Sequence, residues 1–373
     1  MKVGVTLPTM HSMELNEQMA AAMTVVGADS LWVADHMLGV VHPSLWPETP
    51  ASAVLPDPDA WLDPFCVAAV VGRQTDLLLG TAVTDGTKRR GADLARATLT
   101  LHHGSRGGFV LGIGAGEAES LVPFGYDFSK PVSRLEQTLV ELRSMLDTGR
   151  MPHNGLGRTG LNLESPLGRP QVWVAATGER SLKLAGLYGD GWLPIGVTPE
   201  EYAHKRAIVV DVARSAGRRS PVAAMAPVIL LGRSLDHVAA ALDEYPVTKL
   251  ITLFASADLW RRYGLTHPAG ADSRGPIDAI PHAVAPKTLR AVAKAIPFAM
   301  VKEFVLMGSA SDVAARLEAY AAAGLEHAVF GDITGLAYPP AQSAELMGEL
   351  KTLFTLAHAM PAGEPGRRSV VDG

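Results

Sequence analysis

The chain has 373 residues, of which 47% are hydrophobic and 19% charged, with a formal net charge of -5. That length suits one closed α/β barrel carrying insertions as well as two smaller domains, and the composition excludes a globally disordered chain. The acidic balance offers no footing for nucleic acid or an anionic membrane. A single cysteine, Cys66, excludes an intrachain disulfide framework and a multi-cysteine metal site. Set in "FCVAAVVG", it reads as a small core residue.

The N-terminal "MKVGVTLPTM" enters an apolar segment at once, without the features of a signal peptide. No apolar run reaches the length of a bilayer span, "AAMAPVILLG" being about half of it. A soluble, cytoplasmic protein is the expectation. Strands are expected at "VGVTL", "SLWVA", "LLLGTAV", "FVLGIG", "VWVAA", "GWLPIGV" and "HAVF". "PVILL" and "KLITLF" compete for one further slot.

Three segments repeat one phrase: "MAAAMTVVGADSLWVADH", "SLKLAGLYGDGWLPIGV" and "LEAYAAAGLEHAVFGDI". Each is a helical pattern, then a glycine (Gly27, Gly189, Gly324) where a helix can end in a left-handed residue, then an apolar strand without alternation. About eight such strands alternating with helices favour a closed (β/α)8 TIM barrel over an open doubly wound sheet. Residues 1–358 are expected to form that single domain and 359–373 a flexible tail. Two Pro- and Gly-rich stretches, 37–64 and 256–287, are too long for plain connections; their Trp46, Trp61, Trp260 and Tyr263 predict ordered lids on the rim where strands end.

In such a barrel the positions after each strand face the active site, and here they are polar. The second strand ends in Asp35-His36, the third in "AVTDGTKRR", the fourth in "GIGAGEAES" and the fifth in "AATGERS". Taken singly, His36 reads more readily as a satisfied core histidine and Glu117 as an ordinary first-turn carboxylate favoured by the helix dipole, and it is the agreement of four strand ends that points to a site. The alternating Gly112, Gly114 and Gly116 are not a dinucleotide-binding fingerprint. Both glycine-bearing turns suit an anion at a helix N-terminus as well as an ordinary connection. No H-x-x-E-H, G-x-S-x-G or Walker arrangement is found, so no metal site or nucleophilic triad is expected.

Together the strand ends resemble the bacterial-luciferase-like flavin and deazaflavin oxidoreductases, which are (β/α)8 barrels. The resemblance is carried by "GADSLWVADH", "LLLGTAVTDGTKRRGADLARATLTL", "SRGGFVLGIGAGEAES", "WVAATGERSLKLAGLYGDGWLP" and "GLEHAVF". The Asp-His pair is typical of the branch using coenzyme F420, an 8-hydroxy-5-deazaflavin. Within that branch, "VTDGTKRR", "PFGYDFSKPVSRLEQTL", "YGLTHPAGADSRG" and "MVKEFVLMGSASDV" resemble the mycobacterial phthiodiolone ketoreductase type. The deazaflavin-dependent glucose-6-phosphate dehydrogenases are less similar. "LPIGVTPEEY" lacks the lysine that would hold a sugar phosphate, and Val40 stands where they carry an aromatic residue.

By that resemblance His36 would be the acid or base at the substrate oxygen and Glu117 a second one facing the reacting centre. Asp35 would contact the cofactor ring or orient its neighbour. Ala82 and Val83 match a pair joined by a non-prolyl cis peptide under the ring, with Thr84 and Asp85 at its edge. Ala176, Thr177 and Gly178 would meet the cofactor phosphate, and Gly114, Ala115, Gly116 and Ser120 would line the rest of the groove. Lys88, Arg89 and Arg90 read as a solvated cluster or as contacts for the cofactor's anionic tail. The implied activity is hydride transfer between F420 and a carbonyl or alcohol carbon of an apolar substrate, as a ketoreductase and a homodimer. The rival readings are an FMN-dependent monooxygenase, a non-catalytic flavin-binding relative and a pure interaction module.

Overall fold

The computed structural model describes residues 1–361; the tail expected at 359–373 lies mostly outside the described residues. Eight strands close a parallel barrel: β1 (Lys2–Leu7), β2 (Ser30–Val33), β3 (Leu78–Thr81), β4 (Phe109–Gly114), β5 (Gln171–Val174), β6 (Gly191–Trp192), β7 (Val222–Met225) and β8 (His327–Asp332). Each pairs with its neighbour in this order, and β8 returns to β1 with Val3 opposite Ala328. The expected TIM barrel is therefore the fold. All four residues of β2 and all six of β4 are buried, which explains their lack of alternation.

Two indoles fill the barrel interior. Trp32 of β2 and Trp173 of β5 lie 5.0 Å apart, with Val110, Leu193, Ala224 and Val329 around them. They fit because the neighbouring strands carry glycine in register with them: a Cβ on Gly80 would sit 2.4 Å from the Trp32 ring, and one on Gly191 2.5 Å from that of Trp173. Below them Ser30 Oγ accepts the Trp32 indole N–H at 2.8 Å and meets His327 Nε2 at 2.8 Å. Burial pushes the His327 imidazole down to about 4, so it is neutral in the folded barrel at pH 7.

Helices stop as the repeated phrase predicts at Gly27 and Gly324, both left-handed, with φ of 97° and 96°. Gly189 differs. Its backbone is extended, and glycine is required because a Cβ would come 2.6 Å from the Ala185 carbonyl. Cys66 also departs from expectation: the helix Pro64–Val71 buries Pro64, Val67, Ala68 and Val71, which turns Cys66 outward and exposes it.

The disputed seventh slot is taken by neither expected segment. "VAAM" forms β7. Pro227 has no N–H to continue the ladder, and Val228–Leu231 runs on instead beside Leu306–Gly308 and the end of β8. Lys249–Phe254 lies within a 3-10 helix, Pro246–Phe254, which buries Val247, Leu250 and Leu253 at a spacing of three.

The long insertions are ordered. Short 3-10 helices at Pro43–Glu48 and Pro50–Ala53 occupy the first, and a helix at Ala257–Arg262 opens the second. Trp46 and Trp260 from the two insertions join one apolar cluster that includes Leu45, Leu250 and Leu289. His282 Nε2 meets Asp59 Oδ1 at 3.0 Å, tying one insertion to the other above the barrel. Among the described residues no helix is long and apolar enough to cross a membrane.

Candidate active site

β2 delivers Asp35 and His36 to the rim, and their carboxylate and imidazole part company. Asp35 is 8% exposed. Its Oδ1 lies 2.9 Å from Lys88 Nζ, and its Oδ2 accepts from Arg89 Nη1 at 2.8 Å and Thr84 Oγ1 at 2.6 Å. Burial pushes this carboxyl up, but Lys88 and Arg89 outweigh it and hold it below the usual carboxylate range. Asp35 thus does not orient His36 through its side chain; it anchors the short segment Thr84–Asp85, which follows β3 and pairs with the end of β4.

His36 turns the other way, toward the turn after β4. Its Nδ1 is 2.8 Å from Glu119 Oε1 and 3.6 Å from Glu117 Oε2. Among the described residues no hydrogen-bond partner falls on Nε2. The loop that carries His36 is stitched in place, because Met37 N donates to Ser120 Oγ at 3.1 Å and Gly39 N to Asp59 Oδ1 at 2.7 Å. The Trp61 ring from the first insertion lies 4.9 Å from the imidazole. Glu119 is the residue that sequence reasoning missed. The signal was the doubled carboxylate of "GEAES", where the helix Ala118–Leu121 begins just after the extended Glu117 and turns Glu119 inward.

Glu119 is fully buried, and its Oε2 has no hydrogen-bond partner. Desolvation pushes both carboxyls above the usual range, and the charge of Glu119 adds to the rise at Glu117. Two neighbouring carboxylates in such a site do not both ionise readily, so the trio retains a proton where isolated carboxyls would lose theirs. Its donor atoms all lie within 4.8 Å of one another. No such cluster was expected from the sequence. Metal sites and proton-sharing hydrogen-bonded clusters both have this spacing, and the 2.8 Å contact is an ordinary hydrogen-bond length.

The other expected residues fall into two groups. Ala82 and Val83, joined by a cis peptide, are partly exposed beside β4, as are Ala115 and Gly116. Thr177 and Gly178 are exposed after β5, and the helix Glu179–Tyr188 that follows has no side-chain cap, so its first N–H groups suit an anion. Ala176 is buried and accepts from Trp192 Nε1 at 2.8 Å. Thr84, Asp85 and Ser120 are buried with their side chains engaged: Thr84 on Asp35, Asp85 on the Thr87 and Lys88 amides, Ser120 between Met37 and Glu119. Gly114 approaches Val83 too closely for comfort with a side chain, a Cβ coming 3.2 Å from Val83 Cγ2.

Lys88 and Arg89 are neutralised internally. Lys88 also meets Asp85 Oδ2 at 3.1 Å, and Arg89 meets Asp63 Oδ2 at 2.5 Å. Of the three basic residues only Arg90 is exposed and unpaired among the described residues.

Residues 1–327 match the model of the family described as luciferase-like monooxygenase. The chain is 35% identical over 339 residues, 87% of each chain, to the phthiodiolone/phenolphthiodiolone dimycocerosates ketoreductase of Mycobacterium tuberculosis. Its fold is similar to that of the coenzyme F420-dependent tetrahydromethanopterin reductase of Methanopyrus kandleri, with a TM-score of 0.70 at 15% identity, covering 96% of this chain and 99% of the other. An F420-dependent secondary alcohol dehydrogenase holding an F420-acetone adduct is similar with a TM-score of 0.67 at 16% identity, covering 94% and 98%. The FMN-bound oxygenating constituent of 3,6-diketocamphane monooxygenase from Pseudomonas putida is similar at 0.63 and 16%, covering 98% and 99%.

Proposed function

Since the chain belongs to the luciferase-like monooxygenase family, a family of oxidoreductase barrels, we propose that it is a coenzyme F420-dependent ketoreductase acting on an apolar carbonyl substrate. The observation that carries this reading is His36: an imidazole at the end of β2 whose Nδ1 is held by a buried carboxylate and whose Nε2 is left for a ligand. The ketoreductase named among its relatives, at 35% identity, supports the direction.

When bound, the deazaflavin supplies or takes a hydride at C5. The chain need only position the two partners and manage one proton. In ketone reduction the protonated imidazole of His36 gives its Nε2 proton to the oxygen as the carbon receives the hydride; in alcohol oxidation the neutral ring takes that proton back. Glu117, partly open and held above the usual carboxylate range, is the second group able to exchange a proton beside it.

The exposed Thr177 and Gly178, with the uncapped helix end behind them, fit the cofactor phosphate. Ala82, Val83, Gly114, Ala115 and Gly116 fit the ring and its groove. Asp35, Thr84, Asp85 and Ser120 serve by holding that frame rather than through free side chains. Trp61 by His36 and the exposed Val122, Phe124 and Tyr126 after the β4 turn suit an apolar substrate. A cytoplasmic homodimer belongs to the same reading.

Two measurements test it. Replacing His36 with Ala and following cofactor absorbance with a ketone should cost about 10²-fold or more in turnover; unchanged turnover removes His36 from the mechanism. Titrating the apo-protein with F420 and with FMN should give tight binding of the deazaflavin. Tight binding of FMN with no affinity for F420 assigns the protein to the FMN-bound branch of the fold instead.

A further inference from the structure

Glu119 has no role in the resemblance that led to His36 and Glu117, yet the geometry makes it the closest charged neighbour of the imidazole. A carboxylate buried to 0% exposure is uncommon unless it is paired. The paired atom here is His36 Nδ1 at 2.8 Å, with Glu117 farther at 3.6 Å. Ser120 Oγ, which takes the Met37 amide, also lies 3.4 Å from the same Glu119 Oε1. One short segment, Glu117 to Ser120, therefore grips both the His36 ring and the backbone that follows it.

We propose that Glu119 is the positioning residue of the site: it accepts the Nδ1–H of His36, fixes the ring and its tautomer with Nε2 available to the substrate oxygen, and shares one proton with Glu117. The inference deepens the proposed function and rests on its assignment of His36. A free imidazole prefers its proton on Nε2, which would leave the wrong nitrogen facing the reaction for proton removal. An acceptor on Nδ1 reverses that preference. Glu119 Oε2, buried and without a partner, is the atom left for the proton held in common with Glu117. The other charged group near the trio is Lys88, which is already engaged by Asp35 and Asp85. Glu117 and Lys88 remain when Glu119 is replaced.

The test uses the full-length apo-protein labelled with 15N in histidine. Side-chain nitrogen shifts of His36 should report the Nδ1–H tautomer in the wild type and in Glu117→Gln. They should revert to Nε2–H in Glu119→Leu, which removes a buried charge and keeps an apolar shape. Glu119→Gln retains an amide oxygen and should restore part of the Nδ1–H population. In ketone reduction, where the same carboxylate on Nδ1 stabilises the imidazolium that donates from Nε2, Glu119→Leu should lower kcat about 10²-fold with KM changed less than twofold, and Glu119→Gln should recover part of that loss.

An unchanged His36 tautomer in Glu119→Leu overturns the proposal, as does a shift produced by Glu117→Gln alone. A His36 signal that moves on treatment with EDTA also overturns it, by assigning the trio to a cation. Reversion of the tautomer in a protein that reduces no ketone sustains the positioning role and rejects the ketoreductase reading, so the two fail separately.

Discussion

Replacing Lys88 with Met separates a structural cation from a ligand-binding one. Lys88 Nζ is 2.9 Å from Asp35 Oδ1, 3.1 Å from Asp85 Oδ2 and 2.8 Å from the Asp35 carbonyl, and its side chain is only 6% exposed. Removing one partner of a buried ion pair costs roughly 3–5 kcal/mol, because the remaining charge stays buried. Arg89 continues to serve Asp35 at 2.8 Å, which places the cost near the lower end, about 3 kcal/mol. Unfolding entropy scales to roughly 0.8 kcal/mol per kelvin for a chain this long, so Tm should fall by about 4 °C at pH 7.

The pH dependence gives that prediction its direction. Asp35 is held below the usual range in the folded state, so its contribution is present above the unfolded value near 3.9 and is lost as pH falls through the folded value. In the variant the carboxyl loses one of the two cations that hold it down and takes up its proton at a higher pH than in the wild type. The gap between the two proteins, followed by urea denaturation, should therefore be smaller at pH 4 than at pH 7. A Tm within 1 °C of wild type at pH 7, or an equal gap at both pH values, refutes the structural role and returns Lys88 to the list of free cations.

Two further outcomes test the barrel itself. His327, buried and pushed down to about 4, binds its proton more weakly folded than unfolded, so stability falls as pH drops from about 6.5 toward 4; by linkage the loss is roughly 3 kcal/mol. His327→Gln should flatten the Tm curve over that window, and an unchanged slope would show that another group carries it. Gly112→Ala should destabilise the protein by about 3 kcal/mol or more, since its Cβ would lie 1.9 Å from the Thr81 carbonyl; a soluble variant with the wild-type thermal midpoint would contradict the packing of β3 against β4.

The barrel was legible in the sequence because it repeats. Unbroken apolar runs such as "SLWV" and "FVLGIG" report strands buried on both faces, and the glycine stops place the helices between them. β7 escaped notice for a physical reason: "VAAM" owes its place to small residues against the interior indoles rather than to bulk, while the more strand-like "KLITLF" keeps its apolar side chains three apart and coils. Cys66 was misplaced because the apolar run around it does not reveal which side of so short a helix faces out.

The site was legible as positions and less so as partners. Strand ends bring side chains to the rim, so "DH" and "GEAES" could be paired on paper, and His36 and Glu117 do meet. Which carboxylate the imidazole takes depends on the direction in which each chain turns on leaving its strand. Adjacency in sequence suggested Asp35, but successive residues of an extended chain point to opposite sides. Asp35 faces Lys88 and Arg89, and His36 faces the β4 turn. There the helix starts just after Glu117, which sends Glu119 rather than Asp35 to Nδ1. The basic cluster and the carboxylate pair thus divide the work: Lys88 and Arg89 hold Asp35 charged and the Thr84–Asp85 segment in place, so among the described residues the acidic groups left beside the imidazole are Glu117 and Glu119, both held above the usual carboxylate range.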